Sequence, residues 1–201
     1  MPYVVKTLNT PNDISTCNAA ITCLSDLLFI IDESVKEPIQ KKNCYGKINR
    51  HRDAIMNSIL NGIQSPNVSR EIKPHLFSCL SCFFWSIPEF CISYIPKCVE
   101  ASLAASSHVI SSYDEDTIEW INQLYLAIVE FWDSLSSAQN HNPQVVQSVV
   151  PQILNFVDHI LKVNYLQPEL YKNCILMLRD IANEFKSELA KEVGLGGKSD
   201  E

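Results

Sequence analysis

The residues whose spacing comes closest to that of a chemical site are a pair of cysteines. Cys79 and Cys82 stand one helical turn apart in the run KPHLFSCLSCFFWSIPEF, and a Cys-x-x-Cys pair can bind zinc or exchange disulfides. A zinc site needs a second pair of ligands at comparable spacing, and the five histidines do not form one. The redox motif needs a strand-helix-strand setting, which this apolar run does not provide. We therefore interpret the pair as part of a packed helix, with no metal and no cofactor.

Other reactive groups have an equally structural interpretation. All eight cysteines except Cys44 fall in apolar helical stretches, as is typical of reduced, buried thiols, and Cys44 is predicted to be the accessible one. Asp158 and His159 are adjacent on a predicted helix and are interpreted as a surface pair. The five glycines form no phosphate-binding loop. These observations predict a protein that is not an enzyme.

Charge and composition narrow the kinds of partner. The 201 residues are 46% hydrophobic and 19% charged, which is ordinary for a globular protein. The formal charge of −7 argues against nucleic-acid binding, which needs clustered Lys and Arg, and favours a basic partner. We find no signal peptide and no apolar run of the roughly 18 to 20 residues that cross a bilayer, so we predict an intracellular protein without a membrane partner.

Apolar residues recur at helical spacing throughout the chain, and we predict an all-α protein. Leu24, Leu27 and Ile31 share one face of the first predicted helix. The polar stretch from Lys36 to Arg52 is predicted to be a loop. The predicted helices on either side of this loop cover residues 14–31 and 54–63, and the next runs from Ser69, as its N-cap, to about Phe90.

An internal repeat organises these helices. The segments CLSDLLFIIDE, CLSCFFWSIPE, AIVEFWDSLSS and LRDIANEF align at intervals of 56, 48 and 50 residues, slightly longer than the period of about 40 to 47 for HEAT and armadillo repeats. We predict a HEAT-repeat α-solenoid of about four stacked antiparallel helix pairs, the last one incomplete. The predicted boundaries are 11–65, 68–111, 113–163 and 166–193, followed by a flexible tail at 194–201.

Three long segments carry a resemblance to a known family. SPNVSREIKPHLFSCLSCFFWSIPEFCISYIPKCVEASLAAS, SSYDEDTIEWINQLYLAIVEFWDSLSSAQNHNPQVVQSVVPQILNFVDHI and YKNCILMLRDIANEF resemble, in the right order, the C-terminal HEAT repeats of the importin β (karyopherin β) family. The segment CNAAITCLSDLLFIIDESV fits the repeat that precedes them. The resemblance rests on repeat positions along nearly the whole chain and not on a catalytic motif.

The resemblance implies a nuclear transport receptor fragment that works between cytoplasm and nucleus, at the nuclear pore. Its second helices are expected to bind the basic segment of importin α or a basic cargo. The grooves between its first helices are expected to bind Phe-Gly motifs of nucleoporins. Ran contacts are expected only through N-terminal repeats that this chain lacks. The residues assigned to the basic segment are Asp53, Glu100 and Asp158, and those assigned to the Phe-Gly motif are Phe29, Phe84 and Trp85.

An alternative function remains open from the sequence. A HEAT-repeat scaffold subunit of another protein complex would keep the solenoid but bind neither partner. Two features differ from the family's pattern: the second helices carry few acids for a polybasic ligand, and the predicted loop at 36–52 is longer than the family's.

Overall fold

The computed structural model describes residues 3, 6–7, 14–107, 114–139, 141–163 and 165–192. These residues form helices and contain no strand. We number the helices from the first continuous one: α1 (Ile14–Ser34), α2 (Pro38–Asn49), α3 (Arg52–Gln64), α4 (Ile72–Ser86), α5 (Pro88–Cys91), a 3-10 turn (Ile92–Tyr94), α6 (Ile95–Ser106), α7 (Glu115–Gln139), α8 (Pro143–Leu161) and α9 (Pro168–Glu192).

The longer helices stack in two layers. In the first layer α1 contacts α4, α4 contacts α7, and α7 contacts α9; in the second layer α3 contacts α6, and α6 contacts α8. Each layer thus joins only neighbouring units, which is the arrangement of a solenoid. The predicted all-α solenoid is confirmed.

Neighbouring first-layer helices run in the same direction. Ser25 of α1 lies beside Cys79 of α4, and seven residues further on Asp32 accepts a hydrogen bond from Ser86 at 2.5 Å. The α7/α9 pair is also joined near its start, where the backbone N–H of Gln167 donates to Asn122 Oδ1 at 2.7 Å. A connection through the second layer returns the chain to the same end of each unit, as a helix-pair repeat requires.

Aromatic side chains fill the space between the helices. Phe131 of α7 lies 6.2 Å from Phe77 and 5.6 Å from Phe84 between ring centroids, and Trp132 stacks on Phe156 of α8 at 6.3 Å. All five are buried. Each such side chain contributes about 1.5 to 3 kcal/mol by leaving water, so the core extends continuously from one unit to the next.

The predicted loop between the first two helices is wrong, because the stretch folds as α2. Pro38 occupies the first turn of α2, where its missing N–H costs least. Tyr45 and Ile48, three positions apart, are buried on one side of the helix. The sequence pattern failed here because only these two of twelve residues are buried, and the remaining face is polar.

The predicted helix from Ser69 to Phe90 is wrong at both ends. Its N-cap is Glu71, and the Ser69 hydroxyl donates to the Glu71 carboxylate instead of capping a backbone amide. The helix stops at Ile87, which has φ −142° and ψ 55°. Ile87 precedes Pro88, and the proline ring disfavours helical backbone in the residue before it.

Helix α1 is more apolar than the sequence analysis recognised. Among the described helices it alone is long and apolar enough to cross a membrane. An 18-residue stretch of it has a mean hydropathy of 1.7, and 33% of that stretch is buried. The same helix supplies core residues to the solenoid and packs along α4. The core helix of a soluble protein can have the same length and hydropathy as a membrane span, so these two properties are weak evidence for a membrane.

The fourth unit consists of α9 alone in the described part of the chain. The sequence predicts an incomplete fourth pair whose second helix is short or frayed after Lys191, but α9 continues as one helix from Pro168 to Glu192. The predicted tail at 194–201 lies outside the described residues.

Candidate functional site

The cysteine pair at positions 79 and 82 belongs to the packed interior. Cys79 is fully buried, and burial raises its pKa to about 12. Cys82 is half-buried, and burial raises its pKa as well. Both thiols are free, and the described residues contain no group of three His, Cys, Asp or Glu able to hold a metal ion. The geometry therefore agrees with a packing role.

Accessibility of the remaining thiols differs from the prediction. Cys44 lies on α2 and is partly buried, whereas Cys23 of α1 is exposed. Because α1 is apolar almost all round, the position of Cys23 on its solvent face could not be read from the apolar pattern. The prediction that Cys44 is the accessible thiol is therefore wrong, and Cys23 is the exposed one.

Asp53, assigned to the basic segment, lies at the start of α3 with its carboxylate already engaged. Arg52 Nε donates to it at 2.8 Å, and the Tyr94 hydroxyl donates to the same oxygen at 2.7 Å. These hydrogen bonds, led by that of Arg52, lower the pKa of Asp53. A basic ligand would have to compete with Arg52 for this carboxylate.

Asp158 and Glu100 lie on exposed faces of the second layer, on α8 and α6. Asp158 pairs with Lys162 at 2.5 Å on the same helix face, and Glu100 stands one turn after the exposed Lys97. His159 does not form a dyad with Asp158, because its Nε2 lies 3.3 Å from the Tyr125 hydroxyl. Each of the three assigned acids therefore has a cationic side chain close by in the sequence.

Two leucines that the sequence analysis missed share the exposed face of Asp158. Leu154 and Leu161 are 50% and 57% exposed, four positions before and three after that acid. The sequence pattern could have identified them as exposed, because they lie outside the helical spacing of the buried residues Ile153, Val157 and Ile160. The exposed face of α8 is consequently amphipathic, with apolar side chains on both sides of a carboxylate.

The aromatic residues assigned to the Phe-Gly motif divide into two kinds. Phe29 of α1 and Trp85 of α4 are 66% and 52% exposed. Phe84 is fully buried against Phe131, so its assignment to the surface is wrong. Adjacent side chains on a helix point about 100° apart. Phe84 therefore lies on the face of α4 that packs against α7, while Trp85 points to solvent.

A hydrogen bond joins α1 and α4 close to the two exposed aromatic residues. Asp32 of α1 accepts from Ser86 of α4 at 2.5 Å; Phe29 is one turn before Asp32, and Trp85 directly precedes Ser86. The two exposed aromatic residues are thereby placed at the same end of two packed, parallel helices. Ile30, exposed beside Phe29, adds apolar surface there.

Comparison with known proteins identifies relatives over nearly the whole chain. The family described as "Importin subunit beta-1-like, TPR repeats" matches residues 1–194. Importin subunit beta-1 of Arabidopsis thaliana is 27% identical over 149 residues, which cover 71% of this chain and 17% of the plant protein.

Solved structures have the same fold. Yeast importin-beta, Kap95p, matches with a TM-score of 0.72 and 19% identity over 92% of this chain and 20% of its own. A Kap95:Nup1 complex matches with a TM-score of 0.72 and 20% identity over 91% of this chain and 20% of that chain. A structure of Kap95p bound to RanGDP gives a TM-score of 0.72 at 21% identity, with coverage of 92% and 20%. The chain thus spans about a fifth of the length of the relatives it matches.

Proposed function

Because the chain belongs to the importin subunit beta-1-like family, we propose that it is part of a nuclear transport receptor that binds nucleoporin Phe-Gly motifs on its first layer. We further propose that its second layer binds the basic segment of importin α or a basic cargo. Such a receptor segment works in the cytoplasm, the nucleus and the pore between them. It performs no chemical reaction, and Ran binding is not assigned to these residues.

The observation that carries the proposal is the exposed aromatic pair on α1 and α4. Large apolar side chains exposed together on a soluble surface are typical of binding sites, and Phe29 and Trp85 lie at one end of two packed helices. A Phe side chain inserted beside them would bury apolar area at about 25 cal/mol per Å². The relative solved as a Kap95:Nup1 complex supports this choice of partner.

The experiment is a titration of the full chain with a peptide that contains Phe-Gly motifs, followed by NMR through the indole N–H of Trp85. We expect the Trp85 signal of the unmodified chain to shift. Calorimetry should show at least fivefold weaker binding by the double variant Phe29→Ser plus Trp85→Ser. Ile175→Ser is the control, because Ile175 of α9 is 63% exposed but lies outside both proposed binding surfaces. A peptide with Ser in place of each Phe should not bind.

The two functions give different outcomes in this titration. The absence of binding by the unmodified chain would contradict the receptor proposal and favour the scaffold alternative. Equal weakening by Ile175→Ser would show that the peptide does not bind specifically at the α1/α4 surface.

The second-layer proposal rests on the face of α8. Leu154, Asp158 and Leu161 present apolar and acidic groups along one helix face, which suits an amphipathic basic helix. Lys162 already pairs with Asp158, so the electrostatic contribution is reduced and the two leucines supply much of the contact.

A further inference from the structure

Helix α2 carries unpaired positive charge in a chain that is acidic as a whole. It contains three lysines and no Asp or Glu, and Arg50 follows as its C-cap. Lys41 binds Asp32. Lys42, Lys47 and Arg50 are exposed and form no salt bridge with any residue that the structure describes. Three cations on or next to α2 can therefore meet a partner.

Helical spacing gathers these cations on one side of α2. Because successive side chains turn by about 100°, Ile39, Gly46 and Arg50 point within about 40° of one another, opposite the two buried side chains of the helix. Lys42 and Lys47 flank this line on its two sides. We call these five residues the cationic face; from Lys42 to Arg50 it is roughly 12 Å long.

Packing inside the chain does not account for Gly46, which lies at the middle of the cationic face. A glycine within a helix lowers its stability relative to alanine. At Gly62 of α3 an added Cβ would lie 2.9 Å from Leu76, so the close approach of α4 explains that glycine. At Gly46 an added Cβ would meet no atom within 4 Å. The absent side chain instead allows the backbone of another molecule to come close to α2.

We propose that the cationic face of α2 binds an extended acidic segment of another protein. An extended chain advances roughly 3.3 Å per residue, so about four residues span the face. Carboxylates of the segment meet the three cations while its backbone crosses Gly46. Ile39, which is 75% exposed, offers an apolar contact at the first turn of α2 to one further side chain.

Charge and composition favour an acidic peptide over the other large anions. Residues 38–50 contribute +4 to the formal charge of −7, which leaves −11 on the rest of the chain. A nucleic acid continues its charge far beyond a face of this length and would meet that acidic remainder. A helix that binds a membrane buries an apolar side, and Ile39 is the one large apolar side chain exposed on α2.

The cationic face is separate from both surfaces proposed above. Phe29 and Trp85 lie on α1 and α4, and Leu154 and Leu161 lie on α8. Helix α2 contributes no side chain to either set, so the proposals can fail separately.

The probe is the acetylated peptide Gly-Leu-Asp-Glu-Asp-Glu-Gly, titrated into the full chain at low salt and followed by calorimetry and by the backbone amide signal of Gly46. We expect this signal to shift and the binding to weaken as salt is added. Lys42→Gln plus Lys47→Gln should raise the dissociation constant about fivefold, because each exposed ion pair is weak. The peptide with Asn and Gln in place of its acids should not bind.

The matched control is Lys162→Gln plus Lys172→Gln, which removes the same charge from exposed positions at the end of α8 and on α9. It should leave the dissociation constant within about twofold, because the two sites are distant from α2.

Gly46→Gln separates binding from folding. Glutamine is a better helix former than glycine, and its Cβ meets no neighbour, so the melting temperature should stay the same or rise. The dissociation constant should nevertheless rise about threefold or more, because the new side chain keeps the peptide backbone away from the helix.

Equal effects of the two double variants, binding of the neutral peptide, unchanged affinity in Gly46→Gln, or the absence of binding by the unmodified chain would each overturn the proposal. Tighter binding of oligothymidylate, or of vesicles that contain phosphatidylserine, would also overturn it and assign the face to a nucleic acid or a membrane. Circular dichroism verifies that the variants fold; the single changes Lys42→Gln and Lys47→Gln serve if the double variant does not.

Discussion

Asp32 connects three helices through one carboxylate. It accepts hydrogen bonds from Tyr45 of α2 and from Ser86 of α4, and Lys41 Nζ lies 2.7 Å from it. Partial burial alone would raise its pKa, but the hydrogen bonds from Lys41, Ser86 and Tyr45 together outweigh burial and lower it. The carboxylate is thus stabilised in its charged form by partners from elements far apart in the sequence.

Replacing Asp32 with Ala should lower the free energy of unfolding by about 1 to 3 kcal/mol, because two hydroxyl groups and an ammonium group lose their acceptor. Urea unfolding at pH 7 measures the difference. Glu33→Ala, at the exposed neighbouring position, is the control and should stay within about 0.5 kcal/mol of the unmodified protein.

The pH dependence of this contribution has a definite sign. Since the folded-state pKa of Asp32 is lowered, its stabilisation is present above the unfolded-state pKa of about 3.9 and is lost as the pH falls through the folded-state pKa. The difference between the unmodified protein and Asp32→Ala should shrink below about pH 4. A difference that stays constant into strong acid would contradict the assigned role.

Thiol reactivity gives a second prediction at the residue scale. Cys23 should react first with a maleimide under native conditions, Cys44 next, and the buried Cys79 and Cys98 last, because burial raises the pKa of both buried thiols and blocks access. Mass spectrometry of peptides at successive times gives the order. Labelling of Cys44 before Cys23 would show that α2 opens readily.

The limits of sequence reasoning at this scale are visible in Phe84 and Trp85. Helical periodicity predicted correctly that the run around them is helical and mostly buried. It did not decide which of two adjacent aromatic residues faces α7, because both neighbouring helices compete for the apolar surface of α4. The burial of Phe84 depends on Phe131, which is 47 positions away.

Among the elements, α2 departs most from expectation. Its polar composition suggested a loop, because little of the helix is buried and it therefore lacks the apolar period of a core helix. What holds α2 is tertiary structure: Tyr45 and Ile48 are buried, and Tyr45 and Lys41 bind Asp32. A one-dimensional pattern contains none of these contacts. The long, strongly periodic helices α7 and α8, by contrast, were predictable.

Helix α2 should exchange its amide hydrogens faster than α4 or α7. Its buried side is small, so local opening exposes little apolar surface and costs less free energy than opening a core helix. Hydrogen exchange followed by mass spectrometry compares the three helices directly. Protection of α2 equal to that of α7 would mean that the Asp32 contacts stabilise it as firmly as core packing does.

For the whole molecule, the distribution of charge bears on the second-layer proposal. The chain has a formal charge of −7, yet α7 of the first layer carries five acids without a base, while Asp53 and Asp158 of the second layer are paired with Arg52 and Lys162. Net charge alone therefore suggested a basic partner without showing which layer would attract it. The fold class was predictable because repeats recur in sequence; the charge of each layer depends on local pairing.

A basic helical peptide from importin α should bind this chain weakly, with a dissociation constant no better than about 1 μM, or about −8 kcal/mol. Calorimetry at increasing salt should show weakening, because salt screens exposed charges beyond about 8 Å at physiological ionic strength. Glu100→Ala plus Asp158→Ala should weaken binding further. Unchanged affinity in that variant would remove these acids from the proposed site.

The polar contacts between neighbouring first-layer units have a mechanical consequence. Ser86 binds Asp32, Trp120 donates to the Arg70 carbonyl, and the backbone N–H of Gln167 donates to Asn122. Each contact joins one unit only to the next, so a pulling force along the stack passes through them in series. The weakest junction therefore sets the load that the stack withstands. Under force we expect the units to separate one after another, in order of increasing junction strength.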